Sequence, residues 1–424
     1  MPNKKKLLWW RNDLRIHDNK SLQKAIEGDD ELVHVFFWKD EWDIKTSIGY
    51  PRLSDHRKNH LVESLQDLQS SLKSLGAELL ILKAPFKESL QILFDSYAFE
   101  EVYAEEGICD EERAEEKSLQ NLTRAKLILD DKASLFPPET IPFDIMGVPD
   151  VFTQFRKKLE KNSISPNPLP EPKSIPKNPD IGIKTMPLKP TLKVHKNAAI
   201  QIPGGEKAGL DHLKKYVWED QLIASYKQTR NGLIGQNYSS KFSPFLAQGS
   251  LSARLIYQEV KKFEKQVKSN SSTYWLVFEL IWRDYFRYIA RKYGSRIFQL
   301  AGLKENAPSY SHDEERFRAW TLGKTTDPFV NANMIELKET GFMSNRGRQN
   351  VASYLVHDLG IDWRWGAMWF EHQLIDYDPH SNWGNWIYVA GVGNDPRPNR
   401  QFNTRLQAER YDPKGEYQKL WLHE

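Results

Sequence analysis

The chain has 424 residues, 39% hydrophobic and 28% charged; this exceeds one hydrophobic core, which stops growing near ~250 to 300 residues, and the apolar content excludes a disordered chain. A formal net charge of +3 neither demands nor excludes a nucleic-acid partner, because basic character acts where it clusters. One cysteine, Cys109, excludes an intrachain disulfide and a cage of several thiolates, so no metal site is expected.

The first apolar run, Leu7–Trp10, is too short for a signal-peptide core or a membrane span, and a cytoplasmic protein without membrane contact is expected. Lys6–Trp10, Val33–Trp38, Leu79–Leu82, Val102–Ala104 and Leu127–Leu129 read as buried strands, with helical patterns between them. The clearest helix covers Asn59–Leu75, where Leu61, Leu65, Leu68, Leu72 and Leu75 recur at helical spacing. Strand and helix in alternation predict a doubly wound parallel sheet over residues 1–135, with ligands at the strand carboxyl ends. Prolines recur from Pro166 to Pro179 and on to Pro203, so Asn162–Pro203 reads as extended, and residues 136–203 are assigned to an interdomain linker. Beyond Gly204 strand signals stop. Leu255–Val267, Tyr274–Tyr293, Asn331–Thr340 and Arg348–Leu359 are helical, so residues 204–424 should form an all-α domain. The expected fold class is therefore α/β followed by all-α.

Three constellations in the helical part carry polar chemistry. Tyr238-Ser-Ser-Lys-Phe-Ser-Pro244 precedes a helix, and its hydroxyls and amides could bind phosphate, with charge from Arg283; equally, Ser243 could be an N-cap with Pro244 in the first turn. Asn345-Arg-Gly-Arg-Gln349 opens another helix, and Asp376-Tyr-Asp-Pro-His-Ser-Asn382 follows one that begins near Trp365. An Arg348–Asp376 pair could lie beside a ring system or be an ordinary surface ion pair. The chain has 14 Trp. Trp363, Trp365, Trp369, Trp383 and Trp386 crowd one stretch, as core, as a stacking surface or as an electron path.

With these residues collected, the sequence resembles the photolyase/cryptochrome superfamily from Trp9-Trp-Arg-Asn-Asp-Leu-Arg-Ile-His-Asp18 to Trp421. Pro149-Asp-Val-Phe-Thr-Gln-Phe-Arg156, Thr229-Arg-Asn-Gly232, Thr340-Gly-Phe-Met-Ser-Asn-Arg-Gly-Arg-Gln-Asn350 and Val389-Ala-Gly-Val-Gly-Asn-Asp-Pro-Arg397 point to its DASH branch. The resemblance implies an α/β antenna domain, a long linker and a helical domain holding FAD. It places Tyr226, Ser239, Ser240, Lys241, Phe242, Ser243 and Arg283 around the cofactor, Arg348 and Asp376 beside the isoalloxazine, Asp378 at the ring edge and Asn382 opposite the flavin nitrogen that takes up a proton. It implies light-driven repair of cyclobutane pyrimidine dimers by a monomer acting on single-stranded DNA, with RNA not separated from it. Glu279 and Asn345 would read the bases, Trp282 and Tyr388 would flank the lesion, and Gln349 stands where duplex-repairing relatives usually carry Met. Arg397 and Arg400 would belong to the basic rim.

The sequence departs from the family at several points. Photoreduction would run through Trp386 and Trp363, but Tyr310 stands at the usual exposed Trp, with Trp320 as an alternative. Gly107 stands where relatives carry a glutamate that hydrogen-bonds the antenna, methenyltetrahydrofolate, with Glu105 or Glu106 as substitutes. The usual short basic tail is missing after Trp421, which weakens the alternative reading of a blue-light receptor with little repair.

Overall fold

The computed structural model describes residues 4–28, 30–131, 133–395 and 401–422. The N-terminal half is a five-stranded sheet, β1 (Lys5–Trp10), β2 (Glu31–Lys39), β3 (Leu79–Ala84), β4 (Glu101–Glu105) and β5 (Lys126–Asp130), in the order β3-β2-β1-β4-β5. Every pairing is parallel. A parallel sheet is covered on both faces, which is why its strands are continuous apolar runs. In β1, Leu8 and Trp10 enter the core on one face while Leu7 and Trp9 enter the core on the other.

Helices α1 (Lys20–Ala25), α2 (Asp55–Ser74), α3 (Phe86–Ser96) and α4 (Asp110–Leu122) provide the crossovers. The Ser54 hydroxyl accepts from the Arg57 N–H and starts α2 at Asp55, four residues before the predicted start at Asn59. Leu65, Leu68 and Leu72 are fully buried, and Leu61 and Leu75 border the same core.

The segment 136–203 is not extended throughout. Phe152–Asn162 forms α5, and its Phe152, Phe155 and Leu159 fill the core of the helical half, together with Leu135, Phe136 and Val148. From Ser163 to Pro203 no regular element forms, as the prolines predict. This stretch runs along edge strand β3: the Ile81 N–H donates to Thr185 Oγ1 at 2.9 Å and the Met186 N–H to the Ile81 carbonyl at 2.8 Å. An edge that would otherwise invite foreign strands is thereby closed.

The second half contains α6 (Glu206–Lys214), α7 (Tyr226–Thr229), α8 (Ser243–Ala247), α9 (Ala253–Gln266), α10 (Ser271–Tyr293), α11 (Glu314–Thr321), α12 (Pro328–Thr340), α13 (Asn345–Ser353), α14 (Trp363–Gln373), α15 (Pro379–Val389), α16 (Thr404–Tyr411) and α17 (Glu416–Leu422). Arg348–Leu359 is not one α-helix. After Ser353 the backbone widens into a π turn over Tyr354–Asp358. Among the described residues, no helix is long and apolar enough to cross a membrane.

The halves are joined by buried polar contacts. Arg254 Nε donates to Asp18 Oδ2 at 2.8 Å, Arg15 Nη1 to the Gly249 carbonyl at 2.7 Å, and the Glu206 carboxylate accepts the Ile16 and His17 N–H groups. Gly249 has φ +67°, and a Cβ there would overlap the Asn12 backbone, so this close approach requires glycine.

Candidate functional site

Two connected cavities open between α8, α10, α13 and the α14–α15 loop, of about 250 and about 110 Å³. Asn345, Arg348, Asp376, Asp378 and Ser381 line both. The larger is floored by Ser239–Ser243. Ser239 and Lys241 adopt the left-handed region, with φ +59° and +55°, which few non-glycine residues occupy. Such a backbone persists where surrounding contacts over-determine it, and here the His212 ring contacts the Ser240 carbonyl at 2.8 Å.

The Ser243 hydroxyl is not a helix cap. It donates to Asp376 Oδ2 at 2.6 Å, and Phe242 occupies the cap position without a side-chain bond. Phe242 is buried, edge-on to His212 and Tyr216. Lys241 is 3% exposed, its Nζ has no hydrogen-bond partner, and it lies 2.9 Å from the centre of the Tyr238 ring. Burial depresses its pKa well below the ordinary value, against the opposing pull of Glu336. Asp376 Oδ1 is likewise buried without a partner. A buried ammonium and a buried carboxylate oxygen left unpaired beside one cavity are costly unless a ligand completes them. This fits a polar, phosphate-bearing group such as FAD.

Arg348 and Asp376, read from complementary charge alone, meet at 2.8 Å, with Arg348 Nε donating to the Met343 carbonyl at 2.9 Å. Asp376 is buried, so this is not a surface ion pair. Asp378 caps α15 by accepting the Ser381 N–H at 2.7 Å. Burial opposes its ionisation, but His380, Arg283 and Arg287 more than offset that and hold the carboxyl below the usual carboxylate range. Asn382 donates to the Ala367 carbonyl at 3.0 Å. Arg283 lines the larger cavity while donating to the Ala133 and Leu246 carbonyls. Tyr226 lines it as well, and burial raises its hydroxyl pKa.

Glu279 also faces the larger cavity, paired with Arg230 at 2.7 Å. Burial raises its carboxyl pKa against the pull of Arg230. Asn345 faces both cavities and Gln349 the smaller, where Gln349 accepts from Arg346 at 2.9 Å. Trp282 is edge-on to Tyr388, ring centres 6.0 Å apart, and stacks at 3.6 Å on Phe152. Arg230 and Phe152 were missed as site residues. Both lie in motifs quoted for the resemblance, but only the tertiary fold brings them to Glu279 and Trp282. Arg397 and Arg400 lie outside the described residues.

Trp386 lines the smaller cavity. Its ring meets Phe370 at 5.1 Å and Trp320 at 6.4 Å, while Trp363 meets Trp383 at 5.7 Å. Trp320 stacks on Phe317, which meets the half-buried Trp365. Tyr310 is half-buried rather than fully exposed and packs on the core containing Trp363 and Trp386. Burial, with a smaller push from Asp362, takes its hydroxyl pKa up to about 12.

A third cavity, about 290 Å³, lies between the halves at the carboxyl ends of β1 and β4, where the strand order reverses. Trp42, Tyr377 and Trp383 give it aromatic walls, and its charge is mixed, with Arg11, Arg52 and Arg57 beside Asp110, Glu111, Glu112, Glu115 and Glu371. Neither Glu105 nor Glu106 replaces the missing glutamate. Glu105 faces Arg287 at 3.7 Å and Glu106 pairs with Arg291 at 2.8 Å, both turned away from this cavity. No side chain fits at Gly107, whose Cβ would lie 2.7 Å from Glu116 Oε1.

Comparison with known proteins matches residues 6–173 to the family described as DNA photolyase and residues 275–424 to the FAD binding domain of DNA photolyase. Cryptochrome DASH of Gloeobacter violaceus is 44% identical, over 100% of this chain and 86% of its own length. The crystal structure of a Synechocystis cryptochrome superposes with a TM-score of 0.94 at 42% identity, covering 100% of this chain and 90% of that one. A class III photolyase from Agrobacterium tumefaciens superposes with a TM-score of 0.84 at 27% identity, covering 100% and 87%.

Proposed function

This chain belongs to the photolyase/cryptochrome family, in its cryptochrome DASH branch, and from that premise we propose that it is a blue-light-driven, FAD-dependent lyase that splits cyclobutane pyrimidine dimers, preferentially in single-stranded DNA. The observation that carries this reading is one cavity with unpaired Lys241 and Asp376 atoms at its floor and Glu279 and Asn345 on its wall. FAD bound there supplies, once reduced and excited, the electron that opens the cyclobutane ring.

The protein's part is binding, orientation and charge. Lys241 and the Ser239–Ser243 turn would hold the phosphates, and the Arg348–Asp376 pair and Asn382 would face the ring system. Glu279 reads a base edge by exchanging Arg230 for a base N–H, and its raised pKa suits contact with an uncharged partner. Trp282 and Tyr388 line neither cavity; with one Trp282 face taken by Phe152, the pair would offer a lesion a one-sided aromatic wall. Such a pocket grips weakly. Extruding a dimer costs a few kcal/mol in a duplex and little in a single strand, which favours the latter. For reduction of the bound cofactor, the chain offers Trp386 with a branch to Trp320 and a second through Trp363 toward Tyr310.

The interdomain cavity suits a planar antenna such as methenyltetrahydrofolate, its aromatic walls facing the ring, with Arg57, which donates to the Arg52 and Glu371 carbonyls rather than to a carboxylate, as the cation for the acidic tail. Added folate should then contribute near-ultraviolet excitation to flavin reduction.

The strand preference is tested with one thymine dimer placed in a single-stranded oligonucleotide and in its matched duplex, under anaerobic blue light. Dimer loss confined to the single strand is expected. A flavin that reduces while the dimer persists in both would favour a photoreceptor instead.

A further inference from the structure

The cofactor cavities account for Asp378 but not for the side chains behind it. Cys109 Sγ, a Glu112 carboxylate oxygen and a ring nitrogen of His380 lie within 4.8 Å of one another, the single such grouping of metal-ligand types among the described residues. Cys109 is the N-cap of α4 and Glu112 lies in its first turn, while His380 lies in the first turn of α15. The cluster therefore spans the two halves of the molecule.

Each member is already oriented. Glu112 Oε2 accepts the Ile108 and Cys109 N–H groups at 2.9 and 3.1 Å, which fixes the carboxylate and leaves Oε1 for another partner. His380 is 3% exposed, its Nδ1 faces Asp378 Oδ2 at 3.4 Å, and its Nε2 is buried without a hydrogen-bond partner. An imidazole with one nitrogen on a carboxylate and the other bare is the arrangement that prepares histidine for a metal. The neighbouring cations are engaged elsewhere. Arg11 pairs with Glu115 and Glu116 at 3.3 and 2.6 Å, and Arg287 faces Glu105 at 3.7 Å. A cavity of about 20 Å³ adjoins Glu112 and His380; Arg11, Arg283 and Arg287 line it too, Arg283 donating to the Ala133 and Leu246 carbonyls.

We propose that Cys109 Sγ, Glu112 Oε1 and His380 Nε2 bind one divalent transition-metal ion of the zinc class. A thiolate, an imidazole and a carboxylate form a borderline-soft set that suits zinc, whereas calcium and magnesium take all-oxygen shells. On binding, the Cys109 proton passes to solvent and the sulfur–metal bond replaces the S–H bond, with no change of oxidation state. Three protein ligands leave a fourth position for water. Excluding a cage of several thiolates does not exclude this site, which uses one. The ion would tie α4 to α15 and, through His380, hold Asp378 at the cofactor cavity, a positioning role.

The test uses the full-length flavoprotein, stripped with chelator and titrated with zinc ion alone. One equivalent per chain is expected, bound at least ~10- to 100-fold more tightly than by Cys109→Ser or His380→Ala, each variant keeping the far-ultraviolet circular dichroism of the unaltered protein. Because Cys109 is the only cysteine, cobalt in place of zinc should give a thiolate charge-transfer signal that Cys109→Ser abolishes. Anomalous scattering from zinc-soaked crystals of the unaltered protein should peak among these three side chains. Zinc bound no more tightly than by Cys109→Ser, or an anomalous map without a peak there, overturns the proposal.

Discussion

The two halves of the molecule bury polar groups in different ways. In the α/β half, His34 Nε2 is unpartnered inside a packed core, its ring stacked beside Trp10. In the helical half, Lys241 Nζ and Asp376 Oδ1 are unpartnered on the wall of one cavity. A packed core tolerates an isolated uncharged nitrogen, but polar atoms left unpartnered around shared space suit a ligand.

The strongest challenge to that contrast is Asp376→Ala, which strands Arg348 and Ser243. Removing one partner of a buried pair costs about 3 kcal/mol, and flavin content should fall at least tenfold, read from the absorbance of the purified protein. Its counterpart is Leu65→Ala in α2. This should cost a comparable ~3 kcal/mol in denaturant titrations yet leave flavin per folded molecule unchanged. Loss of flavin in both would erase the distinction.

Gly366→Ala should cost about 1 to 3 kcal/mol, because a Cβ there would overlap the Trp386 and Leu355 side chains. Photoreduction should slow as Trp386 is displaced. An unchanged rate would remove Trp386 from the path.

Acidity sets Glu336 and His34 apart by sign. In the helical half, burial pushes the Glu336 carboxyl from an ordinary 4.5 up to about 7, so the folded state holds a proton the unfolded chain has lost. Its stabilising effect is full below about pH 4.5 and is lost as pH rises toward 7. In the α/β half, burial takes the His34 ring from 6.5 down to about 3, so the unfolded chain binds the extra proton and stability falls as pH drops below 6.5. Glu336→Gln should flatten the first trend and His34→Gln the second, in denaturant melts across that range.

The smallest expected effect concerns the aromatic branches. Trp320→Phe should slow photoreduction more than Tyr310→Phe, because Trp320 meets Trp386 while Tyr310 carries a hydroxyl whose proton is hard to lose. The reverse order would restore the Trp363–Tyr310 branch.

Much of this was legible before the structure. The five strands were visible because a parallel sheet buries both faces and writes each strand as an apolar run. The proline-rich stretch was visible because proline forbids regular elements. Arg348 and Asp376 could be matched by charge. Local pattern could not reveal α5, whose residues look like linker until Phe155 meets Tyr285 and Tyr288. Nor could it reveal the Arg230–Glu279 pair or the meeting of Cys109, Glu112 and His380, because each joins segments that are adjacent only after folding. Ser243 was ambiguous for a related reason: its distant partner Asp376, rather than its own helix, decides its role.

The most direct measurement is dimer loss per flavin from a single-stranded thymine-dimer oligonucleotide in one anaerobic cuvette, followed in the dark and then in blue light with the flavin fully reduced. The account predicts no loss in the dark, loss in the light, and about tenfold slower loss for Glu279→Gln with its flavin intact. Fully reduced flavin that leaves the dimer untouched in the light would contradict it.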